Sequence, residues 1–406
     1  MKILHTSDWH LGQSFYNFNR EEEFREFFCQ LRTIIKKEQP DAMLVSGDIF
    51  DVATPSNAIV TMYNKELLRI QQENEGLQTI ITAGNHDSPS RLASAGILWK
   101  EFGVTVIGTP VRKKGEIDMQ QMIVPIYENG QISGWVLAVP YMHSSSYPAT
   151  ENDCYSERVR AFYNRLFNIA NEMRTSGQPI IAMGHLTMTN SDLTGHDVAI
   201  GAMDSVPVDI WDDGIAYVAL GHIHHAQHIG ADNVRYSGSV LPMSFDENYP
   251  HSVTIVEFEK ERMSTVRKIE INPPIAICTI PEKPAPFEEV KEVLSNYPDD
   301  KPAYLRANIL SEGVMPTDMF DEANSCLKDK TKLRLCRLLQ VRKQQETPEE
   351  DGNMIHSLDE LRKISPIEVA KRSYKIKRQE EMPEELIECM KEAVEEGATE
   401  TKEDEQ

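Results

Sequence analysis

The chain has 406 residues, 40% of them hydrophobic, and a formal net charge of −22. That length exceeds what one core fills, so two or three domains are expected, and no apolar run approaches the ~20 residues of a membrane-spanning helix. Six cysteines without C-x-x-C spacing argue against a zinc ribbon and a disulfide framework, and the acidity argues against a polyanionic partner, although residues 379–406 alone carry −10 of it.

Lys2 to Ser7 is the first apolar run, and Asp8-Trp9-His10 follows it directly. A strand and a polar motif so near Met1 leave no room for a signal peptide, which gives the expectation of a cytoplasmic protein. Helical patterning covers Glu21 to Lys37, then a strand over Ala42 to Ser46 stops at Gly47-Asp48-Ile49-Phe50-Asp51. A second helical stretch, Ser56 to Gln72, leads to a strand over Gln78 to Ala83 and to Gly84-Asn85-His86-Asp87. Ile180 to Gly184 ends at His185, and Ala216 to Gly221 runs into His222-Ile223-His224. This β-α-β-α rhythm predicts an α/β sheet with helices on its faces, whose ligands bind beyond the carboxyl ends of the strands.

Val234 to Ser237 and Ser252 to Phe258 read as strands with short connections, so the sheet is expected to turn mixed or to pair with a second one. Prolines at 273, 274, 281, 284 and 286 mark a boundary, giving a first domain over 1–272. A helix over Pro286 to Ser295 and strands over Ala303 to Leu310 and Lys332 to Val341 make a small α+β unit, 273–344. Residues 345–353 read as a polar linker, and 354–396 as helices, one opened by the capping box Ser365-Pro366-Ile367-Glu368. Leu386, Met390 and Val394 form a narrow apolar stripe that needs a docking surface, and 397–406 is expected to be a disordered acidic tail.

Asp8 and His10 lie two apart after a strand, so both can turn toward one ion. The Asp48 carboxylate has two oxygens and can bridge two ions; Asn85 adds a neutral oxygen where more negative charge would repel an anionic substrate. His222 and His224 can reach one ion each, and His185 arrives from a separate strand. Any one of these histidines alone reads more readily as a hydrogen-bonded structural residue; the seven side chains together supply the donors of two divalent metal ions. His86 follows a proposed ligand, so its ring can reach substrate, and the Asp51 carboxylate behind it would fix its tautomer and make it a general acid.

The pattern D-x-H, G-D-x-x-D, G-N-H-[DE], H, G-H-x-H resembles that of the calcineurin-like metallophosphoesterases. The wider text, Thr6 to Gly12, Ala219 to His224, Tyr236-Ser237-Gly238-Ser239 and Ser244 to Glu247, is similar to the branch of that family that serves as nuclease subunits of bacterial DNA end-processing complexes. The resemblance implies a sandwich of mixed β-sheets flanked by helices, a small α+β capping domain and C-terminal docking helices. It implies Asp8, His10, Asp48 and His224 on a first metal and Asp48, Asn85, His185 and His222 on a second, with His86 as acid and Asp51 behind it. Tyr236, Ser237, Gly238 and Ser239 are implied substrate contacts; Val240 departs from the proline that usually follows Gly-Ser. Two ions ~3.5–4 Å apart would activate water and clamp both oxygens of an in-line displacement at phosphorus. Manganese is the implied ion, and mixed imidazole and carboxylate ligation also suits Mg2+, Fe2+ or Zn2+. The implied substrates are double-stranded DNA ends, hairpins and single strands, and the implied assembly is a homodimer joined to an SMC-family ATPase, with no membrane.

Two rivals stand beside this reading: a phosphatase or cyclic-nucleotide phosphodiesterase of the same fold, and a non-catalytic scaffold. Lys330, Lys332, Arg334 and Arg337 are equally consistent with a DNA-backbone contact and a solvated strand face. His5, His225 and His228 read as structural, and the basic run Lys371, Arg372, Lys375, Lys377 and Arg378 either meets an acidic partner or balances the tail.

Overall fold

Ile3 and Leu4 point to opposite faces of one strand, and both are fully buried, so the sheet they belong to must be covered on both sides. The computed structural model shows what covers it. It describes residues 1–151, 154–195, 205–311 and 316–342, with 371, 374, 382–384, 386–388 and 390 beyond them. Residues 1–343 form one unit and 344–406 another.

In the first unit, β1 (Lys2–Thr6), β2 (Ala42–Ser46), β3 (Gln78–Thr82) and β4 (Val104–Ile107) run parallel in that order. β5 (Ile123–Glu128) and β6 (Gln131–Ala138) form an antiparallel pair, and β7 (Ile180–His185), β8 (Ile215–Gly221) and β10 (Ala231–Tyr236) extend it in parallel. β9 (Gln227–Ile229) closes that second sheet in the order β9-β10-β8-β7-β6-β5. β11 (Ser252–Glu259) pairs antiparallel with β1, and β12 (Arg262–Glu270) with β11, completing two six-stranded sheets.

Alternation along the strands sets the layers. Ile3, Ala42, Leu44 and Ile80 of the first sheet meet Val136, Ile181, Tyr217 and Ala219 of the second. Leu4, Met43 and Val45 face outward, onto Phe24, Phe27, Phe28 and Leu31 of α1 (Glu21–Glu38) and Met62, Leu67 and Ile70 of α2 (Asn57–Glu73). These apolar positions recur at three and four residues, so each helix buries one stripe. The Ser56 hydroxyl starts α2 by accepting from Ile59 N. On the far side Phe162 and Leu166 of α3 (Tyr155–Met173) cover Leu137, Ala182 and Val218.

β13 (Ala276–Ala285), β14 (Ala303–Leu310) and β15 (Leu333–Val341) make a third, all-parallel sheet, with α4 (Phe287–Asn296) and α5 (Met319–Ser325) over one face. Pro281 and Pro284, read from sequence as part of a boundary, lie inside β13. It is an edge strand whose pairing is interrupted between Ile280 and Ala285, so prolines there remove no ladder bond. Ala303, Leu305, Ala307 and Ile309 face the helices, while Tyr304, one step out of phase, packs with Phe15 and Phe245 of the larger body. The Tyr304 hydroxyl donates to Glu23 Oε1 at 2.8 Å, and Arg306 Nη1 donates to Asp246 Oδ1 at 2.7 Å.

The sequence-based linker, the capping box at Ser365 and most of the docking helices and tail fall outside the described residues. Leu386 is helical and 44% exposed. No helix among the described residues is long and apolar enough to cross a membrane, and Cys29, Cys154, Cys278, Cys326 and Cys336 are free thiols.

Candidate metal centre

Five strands of two sheets deliver the sequence motifs to one place. β1, β2 and β3 lead into Asp8 and His10, Asp48, and Asn85 and His86; β7 ends on His185, and β8 leads into His222 and His224. The pairing of β1 with β2 continues past the strands: Asp8 N donates to Gly47 O (3.1 Å) and His10 N to Asp48 O (3.0 Å). Asp8, His10, Asp48 and His222 all have positive φ, at 50°, 45°, 50° and 98°. Each such non-glycine residue costs on the order of 1–3 kcal/mol and persists only where the surroundings over-determine it. Here His222 N donates to Asp8 Oδ1 and His86 N to Asp48 Oδ1, both at 2.9 Å, so the loops brace one another through the candidate ligands. Gly47, at φ +86°, is required twice over, since a Cβ there would sit 2.2 Å from His185 Nδ1.

The donor atoms fall into three overlapping groups, one of them His10, Asp48 and His86. Asp8, His10 and His224 place one donor each within 4.8 Å of one another, and so do Asp48, His185 and His222. Asp48 Oδ2 lies 3.2 Å from His185 Nε2 and 3.6 Å from His10 Nε2, which joins the groups. Asn85 Oδ1 is 2.9 Å from His185 Nε2 and 3.0 Å from His222 Nδ1. His185 Nδ1 donates to Ser46 O at 2.9 Å. A carbonyl only accepts, so that nitrogen carries the proton and Nε2 is the one free to ligate.

Electrostatics agree with a cation site. Burial raises the Asp8 carboxyl above its usual range, against the pull of His185. Burial also opposes the charge of Asp48, but the neighbouring His185, with His10 and His86, outweighs it and holds Asp48 well below the ordinary carboxylate range. In turn Asp48 overcomes burial and pushes His185 up to about 9. His10 Nε2 is buried without a hydrogen-bond partner among the described residues, an arrangement that costs free energy unless something else occupies it. Buried imidazoles and carboxylates converging on two centres, one of them holding an orphaned imidazole nitrogen, fit divalent cations.

A calcineurin-like phosphoesterase family model matches residues 1–226. In Rhodobacter capsulatus the SbcD component of the SbcCD nuclease is 34% identical over 306 residues, covering 72% of this chain and 75% of that protein. The chain belongs to the SbcD group of the calcineurin-like phosphoesterases. Its SbcD relatives in Escherichia coli K12 and Bacillus subtilis are each 31% identical, over 68% and 66% of this chain and 70% and 69% of theirs.

Within this SbcD-type centre some expectations need correction. The Asp51 carboxylate does not back His86: its main-chain O accepts from His86 Nδ1 at 2.8 Å, while its Oδ1 lies 3.3 Å from His10 Nδ1. Tyr236, Ser237, Gly238 and Ser239 are buried and bonded within the protein, which leaves them no surface for substrate. The Tyr236 hydroxyl bonds Met188 N and Leu186 O; Ser237 Oγ meets Ser7 Oγ at 2.8 Å, and Ser7 bonds Asp8. Lys330 and Lys332 donate to main-chain carbonyls of residues 294, 297 and 300, and the Arg334 guanidinium lies over the Phe18 and Tyr304 rings.

His5 is buried against the Tyr217 hydroxyl, His225 bonds Asp192 at 2.9 Å, and His228 is exposed on β9. Sequence reasoning gave Asp87 no role, yet its buried carboxylate accepts from Ile49 N, Phe50 N and Gly84 N at 2.8–3.1 Å and ties two ligand loops together. Its only signal was an acid closing the fourth residue of the Gly84 motif.

Proposed function

We infer that the protein is the nuclease subunit of a SbcCD-type DNA end-processing complex, a metal-dependent exonuclease and endonuclease that hydrolyses DNA phosphodiester bonds. What carries the reading is one observation, two donor clusters joined through Asp48 in a chain of the SbcD group. In this reading Asp8, His10, Asp48 and His224 hold the first ion, and Asp48, Asn85, His185 and His222 the second. Manganese is the ion the family resemblance implies, and the mixed imidazole and carboxylate donors fit it as they fit Fe2+ or Zn2+.

Two divalent ions, when bound, activate water and stabilise the attacking and leaving oxygens at phosphorus. The remaining chemistry belongs to the protein. With its Nδ1 proton committed to the Asp51 carbonyl, the exposed His86 ring presents Nε2 outward. In its protonated form that nitrogen donates to the leaving oxygen, and the ring returns to the same neutral tautomer. Asn85 contributes a ligand oxygen without further negative charge near the phosphate.

The proposed organisation keeps 1–272 as the nuclease domain, 273–344 as a capping domain, 345–353 as linker and 354–396 as helices that dock on a SbcC-like SMC-family ATPase. The proposed assembly is a homodimer within a heterotetramer, in the cytoplasm, acting on duplex ends, hairpins and single strands in repair, recombination and replication. At −22 the chain gains DNA affinity from a basic partner surface in this scheme. The test compares Mn2+-dependent cleavage of linear duplex and hairpin DNA with hydrolysis of a small phosphomonoester, with and without the ATPase. Preference for the monoester would overturn the reading in favour of a phosphatase.

A further inference from the structure

We propose that Glu247 is a positioning residue for the candidate ligand His224, accepting its Nδ1 proton and so aiming Nε2 into the donor cluster. The inference rests on the metal reading above. Glu247 Oε1 lies 3.6 Å from His224 Nδ1, and the carboxylate side chain is fully buried. Oε1 has no hydrogen-bond partner among the described residues. A buried carboxylate oxygen left without a donor is desolvated with nothing to offset it, so this oxygen requires one.

Four groups surround the carboxylate, and chemistry separates them; one, the Tyr249 hydroxyl, donates to Thr194 O at 3.4 Å. Ser239 Oγ approaches the other oxygen, Oε2, at 3.5 Å. His251 Nε2 lies 3.6 Å from Oε2. Its other nitrogen, Nδ1, donates to Ser239 O at 2.9 Å, so in the neutral ring Nε2 carries no proton to give. Burial lowers the pKa of His251, which favours that neutral form. His224 is the remaining neighbour with an N–H to offer. A ring that donates Nδ1–H to a carboxylate is fixed in one tautomer and is a more basic ligand through Nε2. His10 has the same arrangement, with Asp51 Oδ1 3.3 Å from Nδ1, whereas His185 is backed by a carbonyl.

The carboxylate is held from both sides. Phe245 packs on Phe15, and Asp246 is gripped by Arg306 of the small domain at 2.7 Å. Across from it stands Gly195, where a Cβ would come 2.3 Å from Glu247 Cγ. The residue therefore has little freedom to turn away from His224.

The test is Mn2+ titration of the full chain by calorimetry, with Glu247→Gln, which keeps shape and loses charge, and Glu247→Ala, which loses both. In the variants the affinity for one ion is expected to fall about 10–100-fold, more for Ala than for Gln, while the second ion binds as in wild type. Unchanged affinity for both ions in Glu247→Ala, or equal weakening of both, would overturn the proposal. A second measurement needs no variant: nitrogen NMR of the Zn2+-loaded wild type with 15N-labelled histidines. Ligation of His224 through Nε2 with a protected Nδ1 proton is expected, and ligation through Nδ1 overturns the proposal. A wild type that binds no ion pair fails the metal reading instead, and that outcome is distinct from either.

Discussion

Asp48 Oδ2 stands 3.2 Å from His185 Nε2, so the carboxylate that follows a strand of the first sheet meets the imidazole that ends a strand of the second. The same carboxylate reaches His10 at 3.6 Å and accepts from His86 N at 2.9 Å. No other described carboxylate belongs to two of the three donor clusters. Asp48→Ala is therefore expected to weaken binding of both ions, by more than the roughly 10–100-fold that follows loss of an outer partner of a ligand. Calorimetric titration with Mn2+ checks this; weakening confined to one ion would show that Asp48 does not bridge.

His86 offers a cleaner separation of binding from chemistry, because its Nδ1 rests on a main-chain carbonyl and its ring is exposed. His86→Gln is expected to lower kcat for DNA cleavage by about 10²–10⁴-fold, the usual contribution of a general acid, with metal stoichiometry unchanged. Asp51→Asn should act differently from the sequence-based expectation. It leaves the carbonyl that holds His86 and removes the charge behind His10, so metal affinity falls before the pH profile of cleavage moves.

These two residues show what was legible and what was not. The ligand set could be read because each candidate sits one to three residues beyond an apolar run stopped by glycine or a small polar residue, and runs of that kind became the central strands. Which atom of Asp51 faces which ring depends on a turn that spacing does not encode. Tyr236 to Ser239 matched a motif, but their burial follows from β10 sitting inside the second sheet, with β8 and β9 on either side. α3 and the β5–β6 pair were not anticipated, and Pro281 and Pro284 misled because an edge strand tolerates what a central strand does not.

Metal loading should release protons. In the metal-free protein His185 is pushed up to about 9, Asp48 outweighing burial, and a ligand ring must be neutral. Below that pH the ion displaces a proton, so apparent affinity falls by about tenfold per pH unit for each proton displaced. For the metal-free fold the sign is the usual one for a raised histidine: the stabilisation is complete below the unfolded value of 6.5 and is lost as pH rises through about 9. Titrations in buffers of different ionisation enthalpy at pH 7 and pH 9.5 measure the released protons; equal release at both would contradict the coupling.

His5 carries the opposite sign. Burial lowers its pKa from 6.5 to about 3, so below pH 6.5 the unfolded chain takes up a proton that the folded chain does not. Stability should then fall as pH drops from 6.5 toward 3, at up to about 1.4 kcal/mol per pH unit from this group. Urea melts at pH 7 and pH 5 check the slope, and His5→Asn should flatten it by the same amount.

The most direct test is anomalous diffraction at the manganese edge from crystals soaked in Mn2+. Two adjacent peaks are predicted, one among Asp8, His10 and His224 and one among Asn85, His185 and His222, with Asp48 touching both. A single peak, or a pair away from Asp48, would contradict the account.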